Sequence, residues 1–112
     1  MIAIYKQRGE SIDYTPAADV AAGDVVVQND LVGIAKLDIK AGELGALATC
    51  GEFTLPKTAG AGEGIAAGKK VYWNELDKVV TVDENAGANK YAGKSILATL
   101  DDDVTALVRL IQ

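Results

Sequence analysis

The chain is a succession of short apolar runs, each about four to eight residues long and closed by Gly, Asn or Asp, which is the length and punctuation of strands. No run has the length and 3.6-residue periodicity of a substantial helix. The pattern leaves a narrow choice: a small antiparallel β-barrel or sandwich of about 8–9 short strands. Strands are expected over 2–6, 24–28, 31–36, 44–49, 52–55, 70–73, 78–82, 94–100 and 104–111. The last, running from Val104 to Ile111, is apolar on nearly both faces, which suits a strand buried on two sides, or one buried on its second face by another subunit. One short helix is compatible with 15–22, where Thr15 is a cap, Pro16 suits the first helical position and Gly23 ends the segment. Two turns need packing to persist.

The turns are legible because their chemistry is local. Asn29-Asp30 tolerates positive φ and separates two valine-rich and leucine-rich runs, so a two-residue hairpin is expected there. Residues 74–77 separate a second hairpin. Ala22-Gly23-Asp24, Ala41-Gly42-Glu43 and Ala67-Gly68-Lys69 echo one another at irregular spacing, which excludes a solenoid and points to one turn chemistry used repeatedly. Residues 58–64 contain Gly60, Gly62 and Gly64 and are expected to be a loop that is mobile unless a partner fixes it. Asp101-Asp102-Asp103 is expected at a solvated tip, because adjacent carboxylates repel. A calcium loop would alternate its ligands and add a bidentate acid farther on.

Length sets a single domain spanning residues 1–112, with one core. Net charge is −5 and the pI about 4.6, the wrong sign for gripping phosphates, so no nucleic-acid partner is expected. Histidine is absent, which removes the commonest general base and the commonest metal ligand. No metal ligands, catalytic residues or cofactor are assigned. The single Cys50 lacks a histidine to activate it and reads as a small buried hydrophobe. The start of the chain lacks the regions of a signal peptide, and no run reaches the roughly 20 apolar residues of a membrane span. No membrane partner and a cytoplasmic site of assembly are therefore expected.

Two segments imitate phosphate loops. Gly87 to Ser95 places five residues where a P-loop has four, and Gly64 to Lys70 places three. Both read as turns with solvated lysines. The glycines at 60, 62 and 64 lack dinucleotide spacing. Acid pairs such as Glu10 with Asp13, or Asp83 with Glu84, arise readily in a small acidic domain and carry no glycosidase reading. Tyr72 and Trp73 alternate across a strand, so one fills the core and the other is free to anchor a partner. Tyr5 and Tyr14 are further anchors of the same kind.

The succession Ser11-Ile12-Asp13-Tyr14-Thr15-Pro16, Ala22-Gly23-Asp24-Val25-Val26-Val27, Ala41-Gly42-Glu43-Leu44, Gly51-Glu52-Phe53-Thr54-Leu55-Pro56, Ala67-Gly68-Lys69-Lys70-Val71-Tyr72-Trp73, Ala92-Gly93-Lys94-Ser95 and Val108-Arg109-Leu110 resembles a phage and prophage family of capsid cement, or decoration, proteins. That family was formerly described as a domain of unknown function. The resemblance spans nearly the whole chain and rests on turns and strands. It implies an all-β homotrimer in the virion, on the capsid surface, seated where major capsid proteins meet. The "recombinase" label that some members carry finds no support in the two Gly-Lys segments. Such a role needs a rigid core and a segment that pairs with the shell. The N-terminal residues Ile2, Ile4 and Tyr5 form the candidate segment, since an edge strand can extend another sheet. Tyr14, Tyr72 and Trp73 complete the candidate capsid or subunit contacts. Two other classes stand beside this reading: a small recognition module for a host-surface ligand, which its few aromatics disfavour, and an ATP-dependent recombination factor.

Overall fold

A computed structural model describes residues 2–111. Nine strands arise among them: β1 (Ser11–Tyr14), β2 (Val25–Gln28), β3 (Leu31–Ala35), β4 (Gly45–Ala48), β5 (Gly51–Pro56), β6 (Lys70–Asn74), β7 (Val79–Thr81), β8 (Lys90–Ser95) and β9 (Thr105–Leu110). They form two antiparallel sheets, one in the order β1-β4-β3-β2 and one in the order β5-β9-β8-β6-β7. The sheets do not close on themselves, so the expected all-β fold is a sandwich rather than a barrel. An isolated parallel bridge from Lys57 to Val80 links the end of β5 to β7.

Alternation along each strand places the core. Val32 and Ile34 of β3 meet Leu55, Val71, Trp73 and Val108 of the other sheet in one apolar layer. Ala35 and Leu47 face the opposite way and form a smaller cluster with Ile39, flanked by Ile12, Tyr14 and Val20. That second layer is closed by an isolated bridge in which Val20 and Ile39 exchange N–H···O bonds of 2.8 Å.

The recurrent turn is a structural fact. Asp24, Glu43 and Lys69 each donate their N–H to the carbonyl three residues earlier, at 3.0, 3.0 and 3.2 Å. Gly23, Gly42 and Gly68 occupy the third position with φ of 92°, 78° and 79°, the signature of a type II turn. Ala61-Gly62-Glu63 builds a fourth copy, with Glu63 N–H on the Gly60 carbonyl at 3.1 Å and Gly62 at φ 79°. The Asn29-Asp30 hairpin also forms, with Asn29 at φ 55° and Gln28 opposite Leu31. In the second hairpin the Asn74 side-chain oxygen accepts from the N–H groups of Leu76 and Asp77.

Several expectations need correction. Residues 15–22 are not helical: Pro16 is buried and Val20 is drawn into the bridge with Ile39, which offers apolar burial that an isolated two-turn helix lacks. Residues 2–6 form no strand, because the ladder with β4 begins at Ser11. β8 covers 90–95 instead of 94–100, since Lys90 to Lys94 pair with β6 whereas Leu97 and Leu100 are exposed. β9 buries Ala106, Val108 and Leu110 but exposes Thr105 and Arg109, so within the subunit only one face is covered. Cys50 is exposed, at the corner where Gly51 (φ 127°) turns the chain into β5.

The glycine loop at 58–64 is tied down from within. Asp101 Oδ1 accepts the Gly64 N–H at 2.8 Å, and the Asp101 carbonyl accepts the Gly60 N–H at 2.8 Å. The buried Lys57 ammonium donates to the carbonyls of Thr58, Asp101 and Asp103 at 2.7, 3.4 and 3.1 Å. The Asp101 turn thus acts as the loop's partner.

Candidate functional site

The anticipated contact residues lie in three separate places. Ile2, Ile4 and Tyr5 sit on an arm ahead of β1, 104%, 77% and 79% exposed. The arm is anchored at its base, where Thr49 donates from its hydroxyl to the Gly9 carbonyl and from its N–H to the Glu10 carbonyl. Tyr14 ends β1, half-buried against the smaller cluster. Tyr72 lies on the outer face of the five-stranded sheet, edge-to-face with Tyr91 at 5.8 Å. Trp73 points inward and is buried, its indole N–H donating to Glu75 Oε2 at 3.1 Å. Of the adjacent aromatic pair, Trp73 fills the core and Tyr72 reaches the surface.

Trp73 also lines an open groove of about 740 Å³ between β2 and β5, with Val25, Val27, Leu55, Pro56 and Glu75. The groove holds no reactive set. Its carboxylates are engaged: Asp24 accepts the Ala21 N–H at 3.0 Å, and Glu75 takes both the Trp73 indole and the Lys78 ammonium. Among the described residues no three Asp, Glu or Cys side chains converge as metal ligands.

The phosphate-loop imitations have structural explanations. Gly93-Lys94-Ser95 lies on a strand, not at a helix start. The Ser95 hydroxyl is buried and donates to the Leu97 carbonyl at 2.8 Å. Gly93 is needed because any Cβ there would overlap the Arg109 carbonyl of β9. Gly68 serves the type II turn already described.

Strand register assembles a surface feature that sequence order conceals. Lys70 of β6 is opposite Lys94 of β8, Lys94 is opposite Arg109 of β9, and Arg109 is opposite Glu52 of β5. Residues directly opposite project from the same face. Lys70, Lys94 and Arg109 therefore form a row across three strands, with Lys69 beside them, and all four are exposed. None of the four takes part in an ion pair among the described residues. In the sequence only Lys69 and Lys70 are neighbours, and nothing local signals that Lys94 and Arg109 join them.

Asp101 is the group whose titration is clearly perturbed. Backbone N–H groups of Gly64 and Gly62 hold its carboxyl below the ordinary value of 3.8, and the Lys57 charge adds to the effect. This is a loop clasp at a solvated tip, not a proton donor or acceptor set in a cleft.

A family model described as phage cement protein matches residues 6–110 of the 112-residue chain. No curated protein and no solved structure matches it. With an all-β fold and a match over almost its full length, the chain belongs to the phage cement protein family.

Proposed function

We propose that the chain stabilises a phage capsid by binding across neighbouring major capsid protein subunits, as a homotrimer of single-domain subunits, without catalysing a reaction. Membership of the family gives a phage structural, capsid-associated role; the finer reading is argued from the surface. The exposed apolar arm carries it. Ile2, Ile4 and Tyr5 are held away from either core, so their burial gain is left for a partner. Among the described residues the arm belongs to neither sheet, which leaves it able to add a strand to another sheet. Three arms on one trimer engage the shell together, and effective concentration multiplies a weak single contact. Tyr14 and Tyr72, half-buried at the surface, are further contact candidates, whereas Trp73 is buried in the main core. Particles decorated in this way assemble in the bacterial host cytoplasm.

The test is removal of residues 1–6, followed by co-sedimentation with expanded capsids of the phage that encodes the chain. β1 begins at Ser11, so the truncation leaves every strand intact. Loss of most binding supports the reading, and unchanged binding rejects the arm as the attachment segment. Light scattering of the free protein separates a trimer from the 11.6 kDa monomer.

A further inference from the structure

The row Lys70–Lys94–Arg109 is an energetic anomaly. Like charges directly opposite one another destabilise a sheet. Here three cations stand in consecutive cross-strand positions on a chain whose net charge is −5. Lys69 adds a fourth; Glu52 stands opposite Arg109 at the end of the row, and no ion pair among the described residues involves any of the four cations. The row sits on ordered strands, so the spacing of its backbone positions is preset. A partner that supplies carboxylates across the row would relieve the repulsion and gain directional attraction at once.

We infer that the outer face of the five-stranded sheet is a docking surface for an acidic patch on the capsid protein. This rests on the proposed capsid-binding role and adds a second contact, distinct from the arm. Two alternatives fit the surface less well. A single-stranded nucleic acid needs open aromatic planes for its bases; Tyr72 and Tyr91 are half-buried and packed edge-to-face, with 61° between their rings. A second copy of this chain would have to offer free acids, yet many of its own are spent inside its turns. Asp19 caps the Ala41 N–H, Asp38 the Ala22 N–H, Asp101 the Gly64 N–H and Asp103 the Leu100 N–H. Asp30 is held by Lys90 at 2.9 Å.

The contact is electrostatic, so it has a salt signature. Binding of the full chain to expanded capsids of the encoding phage, prepared without the protein, is measured from low to high salt. It weakens as salt screens the row. Lys94→Glu places an anion between Lys70 and Arg109; it weakens capsid binding on the order of tenfold at low salt and removes most of the salt dependence. Lys94→Gln falls between the two and serves if the reversal does not fold. Lys40→Glu changes net charge equally at an exposed site away from the row and binds like the wild type. Circular dichroism shows Lys94→Glu melting no lower than the wild type, since it relieves repulsion. A wild-type chain that does not bind capsids overturns both the proposed function and this contact. Lys94 variants that bind as the wild type does overturn the contact alone. So does a variant whose self-association changes while its capsid affinity does not, or wild-type binding to an oligonucleotide that Lys94→Glu abolishes.

Discussion

Gly93 of β8 lies against the carbonyl of Arg109 on β9 so closely that no other residue fits: a Cβ at position 93 would overlap both the oxygen and the carbon of that carbonyl. The neighbouring ladder explains the intimacy. Gly93 is opposite Leu110 on one side and Val71 on the other, and both partners are fully buried. Gly93→Ala forces β8 and β9 apart in the middle of the five-stranded sheet. It is expected to cost about 1–3 kcal/mol, the usual range for overpacking a core. Urea unfolding measures it as a lower midpoint with little change in slope.

Lys57 is 3% exposed and spends its ammonium on backbone carbonyls of two separate loops. Lys57→Met keeps most of the side-chain volume and removes every donor. Carbonyls of Thr58 and Asp103 are then left short of a partner, at a cost of about 1–3 kcal/mol. Because the two loops lose their shared tie, hydrogen exchange at the Gly60 and Gly64 amides accelerates more than exchange in β6 or β9.

The Asp101 clasp makes stability depend on acid. Its carboxyl titrates below the ordinary 3.8 because Gly64 and Gly62 donate N–H bonds to the charged form, with Lys57 assisting. A depressed carboxyl contributes stability above the unfolded-state value and loses it as pH falls through the folded-state value. Asp101→Asn is therefore less stable than the wild type at neutral pH, and the gap closes as the pH drops below 3.8. Melting temperatures of the two proteins across an acid series check this; parallel curves would mean that the clasp contributes nothing.

Local chemistry is legible in the amino-acid order alone. The turns at Gly23, Gly42, Gly68 and Asn29 depend on φ preferences of single residues, and each forms where the residues indicate. The all-β class follows from run length and the lack of a helical period. The absence of histidine removes the commonest general base and the commonest metal ligand. Local preference misleads where burial outweighs it. Lys90-Tyr91-Ala92-Gly93 looks a poorer strand than Ile96-Leu97, yet β6 pairs along the former, and β9 pairs with Gly93, Lys94 and Ser95. The apolar start at Ile2 has the composition of a strand, but Ser11-Ile12-Asp13-Tyr14 is the segment that finds a ladder beside β4.

What tertiary structure alone decided is register. Residues 70, 94 and 109 become neighbours because β6, β8 and β9 lie side by side with particular partners opposed. The same holds for Lys57 and its distant carbonyls at 101 and 103. A turn is set by the torsions of a few adjacent residues, so the amino-acid order suffices for it. A cross-strand row is set by which strands share hydrogen bonds and by the burial of their opposite faces, a choice made by the whole core at once.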